Sequence, residues 1–119
     1  MKNNKKILVA DDHAGLLHLL ALELTLEGYD VITALNGREA LAIMNNGSPP
    51  DLVLLDVVMP VMNGLEMLSS LRELTKVPVI VHSFDEQYKE QALELGADDF
   101  ILKPFAPDKL LDKIHRLIS

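Results

Sequence analysis

The chain has 119 residues, of which 49% are apolar, and a formal net charge of −7. That length suits one domain burying about two thirds of its unfolded surface, and the apolar share excludes disorder as the main state. Eleven basic residues against 18 acidic ones, spread along the chain, exclude the clustered basic face that nucleic-acid binding needs.

Met1 to Lys6 is polar and basic, and Lys2, Lys5 and Lys6 read as a solvated strand entry. Only four apolar residues follow before Asp11, too few for the apolar stretch of a signal peptide. The first strand is expected at Lys6–Ala10. The first helix follows at Ala14–Glu27, closed by Gly28 as a left-handed C-cap. A second strand, Asp30–Ala34, leads to a helix over Gly37–Asn46, ended by Asn46-Gly47-Ser48-Pro49-Pro50. The third strand is Leu52–Leu55, and a loop Asp56–Asn63 enters a helix over Gly64–Leu74. A fourth strand is read at Val77–His82, with a helix over Asp85–Leu95 stopped by Gly96. The fifth strand, Asp99–Leu102, precedes a helix over Pro107–Ile118, with Pro107 in a tolerated first-turn position.

Strands one, three and four are continuous apolar runs, as parallel strands covered on both faces require. Right-handed crossovers through the helices then give an α/β fold, a doubly wound three-layer α/β/α sandwich. Residues 1–119 are expected to form a single domain, with no repeat, low-complexity tract or linker. No cysteine is present, so disulfides and thiol chemistry are excluded. No apolar run approaches the roughly 18 residues of a membrane span, and the cytoplasm is the expected location.

Chemistry gathers where the strands end. Asp11-Asp12, Asp56, Ser83 and Lys103-Pro104 each follow the end of a strand run, and open α/β sheets bind ligands outside the carboxyl ends of their strands. Alone, Asp11-Asp12 also fits an N-cap and first-turn acid for the first helix, and Asp56 fits an ordinary strand end. Three carboxylates about 4 Å apart repel by roughly 4 kcal/mol per pair at an effective dielectric of 20. Such a cluster persists only with protonation or a cation, and oxygen-only ligands favour Mg²⁺, with Mn²⁺ as the alternative, over zinc.

Asp56 opens the stretch Asp56-Val57-Val58-Met59-Pro60-Val61-Met62-Asn63-Gly64. With Asp11-Asp12 before it and Ser83, Gly96-Ala97-Asp98-Asp99 and Lys103-Pro104 after it, the chain resembles the response-regulator receiver domain along essentially its whole length. The resemblance implies the flavodoxin-like strand order 2-1-3-4-5. It implies Asp56 as the acceptor of a phosphoryl group from a phosphohistidine on a histidine kinase or phosphotransfer protein. Asp12 and Asp56 would ligate Mg²⁺ directly, Asp11 would place coordinated water, and the Val58 carbonyl would complete the protein's share. Lys103 would pair a phosphoryl oxygen and Ser83 would donate its hydroxyl to it, drawing the following loop inward. A cis Lys103-Pro104 bond is implied as well, and Phe100 matches the family's aromatic switch residue, against the plainer reading of a packed core ring. Three carboxylates, a dication and an ammonium balance in charge. An acyl phosphate on Asp56 then adds about one net negative charge, taking the phosphate as roughly −2.

In this reading the domain accepts and loses its own phosphoryl group and is not a turnover enzyme. It switches the face of helix 4, strand 5 and helix 5 toward an output domain or target outside this chain, without touching nucleic acid or membrane itself. The runner-up is a pseudo-receiver acting as an unphosphorylated protein–protein module. A haloacid-dehalogenase-type phosphatase would need an aspartate where Val58 stands, and a nucleotide-binding loop after strand one would be repelled by Asp11-Asp12.

Several positions depart from the family pattern. Phe84, where a small residue is usual, either screens the acceptor from water and small phosphodonors or points into the helix 4 interface. Val58 and Asp85 flank the acceptor at variable positions. His82 stands in place of an aliphatic residue and reads as a buried neutral imidazole or a pH-sensitive contact. His13, His18 and His115 have no metal-ligand spacing and receive no site. On helix 1, Leu16, Leu19, Leu20 and Leu24 are expected to face the core. Leu22 and Leu26 lie on another face, with Leu17 beside or opposite them. They are either scattered surface leucines or a docking surface for a kinase or phosphotransfer bundle. On helix 5, most of Leu110, Leu111, Ile114, Leu117 and Ile118 are expected in the core.

Overall fold

In the computed structural model, which describes residues 5–118, strand and helix alternate throughout. The elements are β1 (Lys6–Ala10), α1 (Ala14–Leu26), β2 (Asp30–Ala34), α2 (Gly37–Met44), β3 (Leu52–Asp56), α3 (Gly64–Leu74), β4 (Val79–Ser83), α4 (Tyr88–Glu94), β5 (Asp99–Leu102) and α5 (Pro107–Ile118). Lys2 of the basic cluster lies outside the described residues. The strands form one five-stranded sheet in the order β2-β1-β3-β4-β5, every pairing parallel.

Every residue of β3 and β4 is buried, and β1 is buried from Ile7 onward, because helices cover both faces. Side chains alternate between the faces. Leu8, Val53, Leu55, Val79 and Val81 pack with Met67, Leu68, Leu71 and Ala92 on the α2–α3–α4 side. Ile7, Val9, Leu52, Leu54, Ile80 and Ile101 pack with Leu17, Leu20, Leu24, Leu110 and Ile114 on the α1–α5 side.

The core stripe of α1 differs from expectation. Leu17, Leu20 and Leu24 are buried, Leu16 is half-buried and Leu19 is 49% exposed. The two stripes diverge at their ends. Continuing from Leu16, Leu19 and Leu20 by helical spacing reaches Glu23 and Glu27, whereas continuing from Leu17 and Leu20 reaches Ala21, Leu24 and Gly28. Only the second stays apolar, and burial of charge decides the phase. Leu22 and Leu26 are exposed, as expected. On α5, Leu110 and Ile114 are buried, while Leu111, Leu117 and Ile118 are partly buried against them.

Element ends moved for local reasons. Val77 and Pro78 fall outside β4, since proline has no N–H to give the ladder; the Pro78 carbonyl instead accepts from Val53 N at 2.9 Å. The α4 region begins as a tighter turn, with Tyr88 N donating to Asp85 O at 3.3 Å and Lys89 N to Glu86 O at 3.0 Å, so the regular helix starts only at Tyr88. The α2 helix ends at Met44, two residues short of Asn46. Gly28 and Gly96 end their helices at φ of 97° and 108°, as C-cap glycines do. The Lys103-Pro104 bond is cis.

Candidate functional site

Period-two alternation, carried one step past each strand, builds the site. Asp11 follows Val9, Asp56 follows Leu54 and His82 follows Ile80, so all three project on the α1–α5 face at the carboxyl edge. Backbone bonds extend the ladder to hold them there. Asp11 N donates to Ala34 O at 3.1 Å, and Lys103 N to Ser83 O at 2.8 Å, which brings the Lys103 side chain onto the same face as Ile101.

The result is a buried ionic cluster. Lys103 Nζ lies 2.8 Å from Asp11 Oδ2 and 3.3 Å from Asp56 Oδ1, with all three side chains under a tenth exposed. Burial, then repulsion from Asp11, pushes Asp56 up to about 6, and the attraction of Lys103 only partly offsets this. Asp12 is exposed and adds a smaller repulsion to Asp56. It is not the cap of α1. That role falls to His13, whose Nδ1 accepts from Leu16 N at 3.2 Å, while Asp11 Oδ1 accepts from His13 N at 2.8 Å. Val58, whose carbonyl was expected to serve a metal, is 62% exposed on the loop after Asp56.

Ser83 is buried beside this cluster, on the opposite face parity. Its Oγ accepts from Asp85 N at 3.0 Å, which leaves its own O–H to donate. Asp85 turns back on Gln87, accepting from its N at 3.0 Å and its Nε2 at 2.7 Å, and caps no helix. Phe84 is 70% exposed, and Lys103 Nζ stands 5.1 Å from its ring centroid, within cation–π range. The ring therefore stands beside Lys103, whose ammonium lies 3.3 Å from Asp56. Phe100 is packed in the core.

The loop from Asp56 to Gly64 is pinned tightly. Gly64 N donates to Val57 O at 2.8 Å, and a Cβ on Gly64 would collide with the Asp56 carbonyl. Val61, at φ 69°, is the one non-glycine in the left-handed region among the described residues, an uncommon conformation for a β-branched side chain.

His82 is the site residue whose part the sequence did not reveal. It is fully buried, its Nε2 lies 3.7 Å from Asp11 Oδ2, and neither ring nitrogen has a hydrogen-bond partner. Burial, then the charge of Lys103, drives its pKa down to about 3, so the ring is neutral. Leaving a buried polar group unsatisfied costs about 1–3 kcal/mol. Donor atoms of Asp11, Asp56 and His82 all lie within 4.8 Å of one another. The strand register, which pairs Asp56 with His82, places the imidazole there.

The family model for the response regulator receiver domain matches residues 7–115. The chain belongs to the receiver-domain family. It is 42% identical over 121 residues to the probable transcriptional regulator ycf27 of Porphyra purpurea, covering 99% of this chain and 49% of that protein. The chain thus spans about half the length of the curated relatives it matches. Among solved structures, the receiver domain of the Francisella response regulator 1452 superposes with a TM-score of 0.90 at 32% identity, covering 97% of each chain. The response regulator TrrA of Thermotoga maritima, in complex with Mg(2+)-BeF, gives a TM-score of 0.87 at 37% identity, covering 95% of this receiver and 98% of TrrA. No helix among the described residues is long and apolar enough to cross a membrane.

Proposed function

We propose that this receiver accepts a phosphoryl group on Asp56 from a phosphohistidine of a histidine kinase or phosphotransfer protein. The supporting observation is the convergence of Asp11, Asp56 and Lys103 in one buried cluster, with the acceptor carboxyl pushed up to about 6. In the transfer, an Asp56 carboxylate oxygen forms the bond to phosphorus while the phosphorus–nitrogen bond breaks. The bonding electron pair leaves with the donor imidazole.

Like charges crowded at Asp11, Asp12 and Asp56 fit a hard divalent cation, so Mg²⁺ would be held by those carboxylates and the Val58 carbonyl. Bound there, it supplies positive charge against the oxygens of the transferring group. The other duties fall to side chains of the chain itself. Lys103 pairs a phosphoryl oxygen, leaving Asp11 to do so, and Ser83 turns its free O–H toward the same group. The acyl phosphate is lost by hydrolysis at the same site, so the domain is a switch and not a turnover enzyme. The face of α4, β5 and α5 carries the change onward. A groove of about 620 Å³ between β5 and α5, lined by Phe100, Leu102, Phe105 and Lys109, supports that role. The recipient is an output domain or target beyond this chain, as the transcriptional-regulator names of its relatives suggest.

Phosphoramidate, whose phosphorus–nitrogen bond mimics the donor's, tests the reading in Mg²⁺ by intact mass. One phosphoryl unit is expected on the wild type and none on Asp56→Asn. Equal labelling of both chains, or none on either, removes the proposal, and the second outcome favours an unphosphorylated interaction module.

A further inference from the structure

We infer that His82, Asp11 and Asp56 form a nitrogen-and-oxygen site for a transition-metal dication of the zinc and cobalt class, which displaces the Lys103 ammonium and blocks phosphoryl acceptance. The blocking rests on the proposed function; the binding does not.

Geometry carries the inference. Two donors on a tetrahedral ion at about 2.0–2.1 Å stand about 3.3 Å apart. His82 Nε2 and Asp11 Oδ2 are 3.7 Å apart, and all three donors fall within 4.8 Å of one another, so small shifts close the site. Nothing in the fold satisfies the imidazole, although it is fully buried and faces the carboxylates. The Ala10 backbone is near enough to interact with the ring, although not in good hydrogen-bond geometry.

Donor chemistry selects the ion. Magnesium takes oxygen ligands and keeps its waters, so an imidazole gives it little. Zinc and cobalt bind imidazole and carboxylate together. The position already attracts positive charge, since Lys103 Nζ sits 2.8 Å and 3.3 Å from the two carboxylates. A displaced ammonium has somewhere to go. Lys103 borders a groove of about 320 Å³ lined also by Glu23, Phe84 and Phe105, which offers a carboxylate and a ring face.

The test is titration of Zn²⁺ into the intact chain against a chromophoric chelator, with Co²⁺ absorption in the visible as a second readout. His82→Leu is expected to weaken Zn²⁺ binding by about tenfold or more and to abolish the Co²⁺ band. His82→Gln serves if the leucine variant fails to fold. A variant lacking the exposed histidines (His13→Asn, His18→Gln, His115→Gln) is expected to bind as the wild type does. Equal Zn²⁺ affinity with and without His82, or loss of binding in the exposed-histidine variant, overturns the inference. Phosphoramidate labelling in Mg²⁺ alone is run separately. Labelling that Zn²⁺ does not inhibit sinks this inference only, whereas Zn²⁺ binding through His82 without any labelling sinks only the earlier reading.

Discussion

Replacing Asp56 by asparagine is expected to stabilise the domain at neutral pH, although it removes the proposed acceptor. The Asp56 carboxyl is raised from 3.8 to about 6, first by burial and then by Asp11. A carboxyl whose folded pKa lies above its unfolded one favours folding only while protonated. Its contribution is intact below 3.8 and is lost as pH rises through about 6. A gap of roughly two units corresponds to a cost of about 3 kcal/mol once ionisation is complete, and to about half of that near pH 5. Asparagine has nearly the same shape and no charge, and Lys103 retains its 2.8 Å contact with Asp11. Urea unfolding of both chains in chelator, at about pH 3.5, 5 and 7.5, reads the effect of the cluster, because titrating groups remote from Asp56 cancel in the difference. The variant's advantage is expected to grow from nearly nothing to between about 1 and 3 kcal/mol across that series. Mg²⁺ is expected to narrow it, since an ion tenfold above its dissociation constant stabilises the wild type by about 1.4 kcal/mol. An advantage that is absent near pH 7.5, or constant across the series, refutes the account of Asp56 as a desolvated, repelled carboxylate.

Lys103→Met leaves two buried carboxylates without their cation. It is expected to cost about 3 kcal/mol and to raise the Asp56 pKa further, read by carboxyl NMR titration; an unmoved pKa contradicts the ion pairing. Phe84→Ala removes the ring beside Lys103 and is expected to speed both acetyl phosphate uptake and loss of the phosphoryl group, so unchanged rates dismiss the screening role. Leu22, 52% exposed on α1, tests docking. Leu22→Lys should slow transfer from the cognate histidine donor while acetyl phosphate labelling stays as it was, and equal rates from both donors end that idea. Val61→Gly relieves a φ of 69° and is expected to stabilise the fold by about 1 kcal/mol, checked by thermal unfolding; a lowered midpoint contradicts the strain.

The sheet was legible because buried parallel strands write themselves as unbroken apolar runs. The α/β/α layering follows from three such runs and two shorter strand signals, all separated by helical stretches. The phase of α1 was harder to read, since leucine fills so many of its positions that two stripes compete, and only Glu23 and Glu27 separate them. The start of α4 was misjudged because Asp85 looks like a cap, while its carboxylate is spent on Gln87. Asp11, Asp56 and Lys103 were legible as strand-end residues, yet their convergence depends on the register that pairs Asp56 with His82 and extends β1 to Asp11. Contact between His82 and Asp11 joins residues far apart in sequence, and no local pattern announces it.

The same geometry indicates which part of the fold responds when charge arrives at Asp56. Lys103 is nearer to Asp11 than to Asp56, 2.8 Å against 3.3 Å, so the phosphoryl group proposed for Asp56, with roughly two negative charges, would compete directly for an ammonium now held elsewhere. The Lys103 backbone N–H is bonded to the Ser83 carbonyl, and the Ser83 hydroxyl oxygen to the Asp85 N–H. A pull on either side chain therefore reaches the turn that enters α4. That helix has seven residues, one of them buried, and its N-terminus has no side-chain cap, whereas α3 begins with a complete capping box and buries four residues. Fewer buried contacts mean a lower cost of local rearrangement. The end of the site with less packing to lose is thus the β4–α4 connection, and the better braced end is the pinned loop from Asp56 to Gly64.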